Sequence, residues 1–119
     1  HTFGHAIEAI TGYKEKIKHG EAIYIGMYLA LRFSAFLKLC KKEVLEKYTS
    51  HLKNLRINYK LSDYNIRISQ ERFLRHMRFD KKVKNNKIKL ILIKDIGSPV
   101  RLFLENEKLL SNFLKNELK

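Results

Sequence analysis

His1 and His5 stand four residues apart. On a helix that spacing stacks two imidazoles on one face, one turn apart, where both can reach a single metal ion. A hydrogen-bonded or solvated pair uses the same spacing, so the pattern leaves both readings open. His19 adds weight to the metal reading, because it opens the next expected helix after a turn short enough to fold that helix back on the first. Gly20 removes bulk beside it, and Glu21 could orient an imidazole from behind. His51 and His76 read differently. His51 falls on the polar side of a helix and His76 lies amid Arg72, Arg75 and Arg78, so both suit surface or capping roles. The sequence has no cysteine cluster, no glycine-rich phosphate loop and no serine nucleophile motif.

The elements that must carry these residues follow from apolar periodicity. A first helix over 1–10 puts His1, His5 and Glu8 on one side and Phe3, Ile7 and Ile10 on the neighbouring apolar stripe. Thr11-Gly12 ends it, since glycine suits the left-handed position beyond a helix C-terminus. After a basic loop, a second helix from 19–21 to about 39 is apolar nearly all round and is expected to be central. A third covers about 42–55, with Val44, Leu45, Tyr48, Leu52 and Leu55 inward; 56–68 reads as loop. Ser69 is placed to cap a helix over 70–79. A strand over 88–93, a turn at 97–99, a second short strand over 100–104 and a last helix over 107–118 complete the chain. The fold class expected is mainly α, one domain, with a small β-hairpin near 88–104.

The charge is +13, from 25 Lys and Arg against 12 Asp and Glu. Such an excess fits nucleic acid or an anionic membrane surface. Here 18 of the basic residues are scattered lysines, accompanied by many Asn and Ile, which is the look of a genome biased towards A and T. A positive field that gathers an anionic substrate is compatible with that bias. No apolar run approaches the roughly 18–20 residues of a membrane span; the stretch 22–39 is broken by Arg32 and Lys38 and reads as a buried helix of a soluble protein. The single Cys40 excludes an internal disulfide and fits a reducing cytoplasm. The chain starts at His1 without an initiator methionine or leader, which is expected of a processing site or of a cut through a longer chain.

Several blocks together resemble a known family. His1-Thr2-Phe3-Gly4-His5-Ala6-Ile7-Glu8, His19-Gly20-Glu21-Ala22, Ile25-Gly26-Met27, Met77-Arg78-Phe79-Asp80-Lys81-Lys82-Val83 and the strand from Ile88 to Gly97 are similar, in order and approximate spacing, to the C-terminal half of the 3-dehydroquinate synthases. There are departures. Lys18 stands where the family usually has an apolar residue, Tyr24 replaces a small one, and 42–69 matches only in hydrophobic pattern.

The resemblance implies a helical, metal-binding C-terminal domain of the dehydroquinate-synthase-like fold. It implies a catalytic Zn2+, or another divalent ion such as Co2+, held by one glutamate and two histidines, here His1 and His19. His5 then faces the substrate phosphate and takes part in proton transfer, and Lys81 or Lys82 reaches that phosphate, with Lys82 preferred because Lys81 could instead cap a helix C-terminus. The reaction implied is the conversion of 3-deoxy-D-arabino-heptulosonate 7-phosphate to 3-dehydroquinate and phosphate, in the shikimate route to chorismate and the aromatic amino acids. The NAD-binding domain and the zinc glutamate would lie before His1, so the chain is expected to be truncated at its N-terminal edge, to bind no NAD itself and to be inactive alone. The full-length protein is expected to be a cytoplasmic homodimer without membrane or nucleic-acid partners. A related sugar-phosphate cyclase is the nearest alternative, and a basic helical nucleic-acid module the one from another class.

Overall fold

Helix α2, His19–Phe36, is the element on which most of the others are assembled. The computed structural model describes residues 2–12, 17–79 and 87–118. Against α2 lie α1 (Thr2–Thr11), α3 (Lys42–Asn54), the antiparallel hairpin β1 (Ile88–Asp95) and β2 (Ser98–Leu104), and α5 (Glu107–Glu117), while α4 (Gln70–Phe79) packs on α1 and α5. The expected mainly helical fold with one hairpin is the fold observed. Within 56–68 the chain adds a short 3-10 turn at Leu61–Tyr64, which has too few residues to leave a periodic signal.

Spacing of apolar residues explains the packing. Phe3, Ala6 and Ile7 of α1 share a face and meet Ala22, Ile25, Leu29 and Phe33 of α2, all buried. Phe33 joins the layers, with its ring centroid 6.5 Å from Phe3 in an edge-on arrangement and 5.0 Å from Phe113 of α5. Strand β1 alternates as expected of a sheet with one wet face, with Ile88, Leu90 and Leu92 buried and Lys89 and Ile91 exposed. Helix α2 is central but not buried all round: Tyr24, Met27 and Phe36 are exposed. Leu55, expected inward, is exposed as well because α3 ends one residue earlier and Leu55 serves as its C-cap.

Side-chain hydrogen bonds fix the ends. Ser69 Oγ accepts from the Arg72 backbone N–H at 3.2 Å, the cap expected from sequence. The hairpin turn lies at 96–97 rather than 97–99, with Gly97 at φ 76° and Pro99 already paired with Ile93 in the ladder. Proline is tolerated there because a two-stranded ribbon has an open edge on each strand.

Ser34, fully buried on α2, donates to the Ala30 carbonyl at 2.7 Å and accepts from the Ile93 backbone N–H at 3.0 Å, tying the hairpin to the central helix. Ser34→Ala leaves that half-buried N–H without its acceptor. The expected loss is about 1–2 kcal/mol, read as a lowered urea midpoint at unchanged slope. An unchanged midpoint would mean the bond contributes nothing to stability.

Candidate metal centre

The crossing of α1 over α2 brings Glu8 beside His19. Its closeness rests on two glycines. A Cβ on Gly26 would lie 2.8 Å from the Gly4 backbone nitrogen and 3.1 Å from the Gly4 Cα, so the two backbones touch here. One on Gly4 would lie 3.3 Å from the Ala22 carbonyl oxygen. Thr2 at the start of α1 donates its hydroxyl hydrogen to the Lys89 carbonyl at 3.1 Å, which holds this end of the helix against β1. At the other end the Thr11 hydroxyl bonds back to the carbonyls of Ile7 and Glu8 at 2.9 and 3.2 Å, and Gly12 takes φ 69°.

His19 is the first residue of α2, and its ring projects outward with 66% of the side chain exposed. Its Nδ1 lies 3.0 Å from Oε2 of Glu8, whose side chain is only 11% exposed. The buried carboxylate therefore stands behind the imidazole, and the ring's other nitrogen, Nε2, is the one left for an outer ligand. Glu21, which the sequence offered as the orienting group, has another task. It accepts the Lys18 backbone N–H at 2.9 Å and so caps α2. It also faces Tyr64, whose phenol is pushed up to about 12 by burial first and then by this carboxylate. Among the described residues nothing lies within 4 Å of a Cβ built on Gly20.

Glu8 is the residue that sequence reasoning placed on the right side of α1 without giving it a role. A signal was present. It is the one acidic residue of α1 and stands between Ile7 and Ala9 in a buried stretch, and a charge in such a place needs a partner. His5, on the same helix one turn before Ala9, is exposed. His1, Lys81 and Lys82 lie outside the described residues. Among the described residues no group of three His, Cys, Asp or Glu is placed to hold an ion. The donor chemistry at His19 nevertheless fits Zn2+ or Co2+, which favour a neutral imidazole backed by a carboxylate.

His51 and the basic cluster behave as surface groups, while His76 is half-buried on α4. His51 is exposed on α3. Arg78 forms a forked ion pair with Glu107, with its Nε 3.0 Å from one carboxylate oxygen, and Arg72 reaches the Ile10 carbonyl at 3.4 Å. Two of the three arginines around His76 are thus engaged within the protein. An apolar pocket of about 490 Å3, lined by Phe3, Met27, Leu90 and Ile91 among others, includes none of the described histidines.

Comparison with known proteins gives consistent likenesses. Residues 1–83 match the family described as 3-dehydroquinate synthase C-terminal. A 3-dehydroquinate synthase of Pelagibacter ubique is 40% identical over 118 residues, which is 99% of this chain and 32% of that protein. One from Endomicrobium trichonymphae is 40% identical over 98% of this chain and 30% of its own length, and one from Zymomonas mobilis 36% identical over 90% and 27%. The chain thus spans about a third of the length of these relatives. Among solved structures, a 2-deoxy-scyllo-inosose synthase complexed with carbaglucose-6-phosphate, NAD+ and Co2+ superposes with a TM-score of 0.76 at 22% identity, over 99% of this chain and 34% of that one, which is a likeness of fold.

Proposed function

Because the chain belongs to the 3-dehydroquinate synthase C-terminal family, we propose that it is the metal-binding, substrate-facing part of an enzyme that converts 3-deoxy-D-arabino-heptulosonate 7-phosphate to 3-dehydroquinate and phosphate. The enzyme is then a lyase of the shikimate pathway, serving chorismate and aromatic amino-acid synthesis in the cytoplasm. The observation that carries the reading is the outward imidazole of His19 held from behind by buried Glu8, at a helix crossing that two family-motif glycines make possible.

His1 and His19 would hold a divalent ion, Zn2+ or Co2+, together with a glutamate from the part of the enzyme that precedes this chain. When bound, such an ion supplies Lewis acidity to substrate hydroxyl and carbonyl oxygens. His5 would contact the phosphate side of the substrate and pass a proton there. Lys82, or its neighbour Lys81, would neutralise phosphate charge and position the leaving group. The surplus of basic residues would favour the approach of so anionic a substrate. NAD would be carried by a preceding domain of the same protein. That domain is the partner this chain needs, and a homodimer is the expected assembly. Among the described residues no helix is long and apolar enough to cross a membrane.

The test joins this chain to the preceding two thirds of the Pelagibacter ubique relative and measures phosphate release with NAD and Zn2+, identifying the product. Steady turnover to 3-dehydroquinate is expected from the joined protein, and none from the 119-residue chain alone. A different carbocycle would assign the chain to another sugar-phosphate cyclase, and steady turnover by the chain alone would overturn the division of labour between the two parts.

A further inference from the structure

We propose that Glu8 is a positioning residue for metal binding: its carboxylate holds the His19 ring in the Nδ1–H tautomer, so that Nε2 is the atom presented to the ion. The inference deepens the proposed function and rests on its assignment of His19 as a ligand.

Three observations carry it. The contact is to Nδ1, at 3.0 Å from Glu8 Oε2. A carboxylate can only accept, so the ring nitrogen facing it must donate, and in a neutral imidazole the other nitrogen is then the lone-pair donor. The burial is asymmetric, with Glu8 at 11% exposure and His19 at 66%. Were Glu8 itself a ligand, its oxygens would face outward with the ring, but they lie behind it. Among the described residues the other nearby carboxylate, Glu21, is committed to the Lys18 N–H, which leaves Glu8 as the described group that sets the ring's orientation.

An ion pair that only tied α1 to α2 would share this distance, and the two roles separate by measurement. The joined protein described under the proposed function, labelled with 15N at histidine, is studied at about pH 8, where an ordinary imidazole is neutral. Long-range proton–nitrogen correlations report the His19 tautomer, and titration with Zn2+ reports which nitrogen it meets and how tightly. Wild type is expected to show Nδ1–H, with Zn2+ shifting Nε2. Glu8→Gln keeps an acceptor oxygen, so the tautomer should persist while Zn2+ binding weakens by about tenfold; Glu8→Ala should release the ring to the other tautomer and weaken binding by about 10–100-fold. Should Glu8→Ala fail to fold, Glu8→Gln carries the test. An Nε2–H ring in wild type, entry of Zn2+ at Nδ1, or undiminished affinity in the variants at a site where Zn2+ does meet Nε2 would overturn the proposal alone. Zn2+ that leaves the His19 signals unmoved in wild type would overturn the ligand assignment first, and the proposal with it.

Discussion

His19→Asn is expected to lower phosphate release by the joined, full-length enzyme about 10^3-fold while leaving the fold intact. Lewis-acid stabilisation of developing charge contributes several kcal/mol to such a reaction, and about 4 kcal/mol corresponds to three orders of magnitude in rate. Asparagine is the informative replacement. Its side-chain NH2 can take the place of Nδ1–H and keep the bond to Glu8, whereas nothing in it replaces Nε2. Alanine would confuse the result, because it would leave the carboxylate of Glu8, 11% exposed, without its partner and cost stability in addition. Thermal unfolding within about 1 kcal/mol of wild type, metal content reduced and turnover nearly abolished are the expected results. Turnover within a few-fold of wild type would remove His19 from the ligand set.

The second large effect is on the frame. Gly26→Ala would set a Cβ 2.8 Å from the Gly4 backbone nitrogen. The obstacle is main chain, so no rotamer change relieves it, and α1 must move away from α2. Overpacking of this kind costs about 3 kcal/mol at the upper end of the usual range. Alanine returns about 1 kcal/mol of helix propensity, which leaves a net loss of about 2 kcal/mol, or roughly 8 °C in Tm for a chain of this size. Metal affinity should fall with it, since the same movement draws Glu8 on α1 away from His19 on α2. Gly20→Ala is the control. Among the described residues it meets nothing within 4 Å, and it should leave stability unchanged or slightly raised. If Gly26→Ala matched that control in a melting experiment, the glycine contact would not be what sets the helix separation.

The difference between these two glycines was hidden in the sequence, where Gly20 was read as open space beside His19 and Gly26 only as part of a family-like block. The helix ends show the same limit. Helix α2 was expected to continue to about residue 39, but it stops at Phe36. Lys38 takes a left-handed conformation at φ 60°, and the N–H groups of Lys38 and Leu39 return to the carbonyls of Ala35 and Ser34. Arg56 closes α3 in the same way at φ 57°. Glycine is the residue that announces this motif. With lysine and arginine in its place, backbone hydrogen bonds close the turn and no glycine announces it.

By itself the sequence determined the element order, the apolar stripes, the Ser69 cap and the likeness of its histidine motifs to one family. Each of these rests on spacing along a helix or strand, which is local geometry. Only the tertiary structure decided which carboxylate stands behind His19. Glu21, two residues away, turns back to cap its own helix. Glu8, eleven residues away, arrives because Gly4 and Gly26 let two backbones touch. Distance through the chain does not report such a meeting, since it depends on how closely two helices can cross.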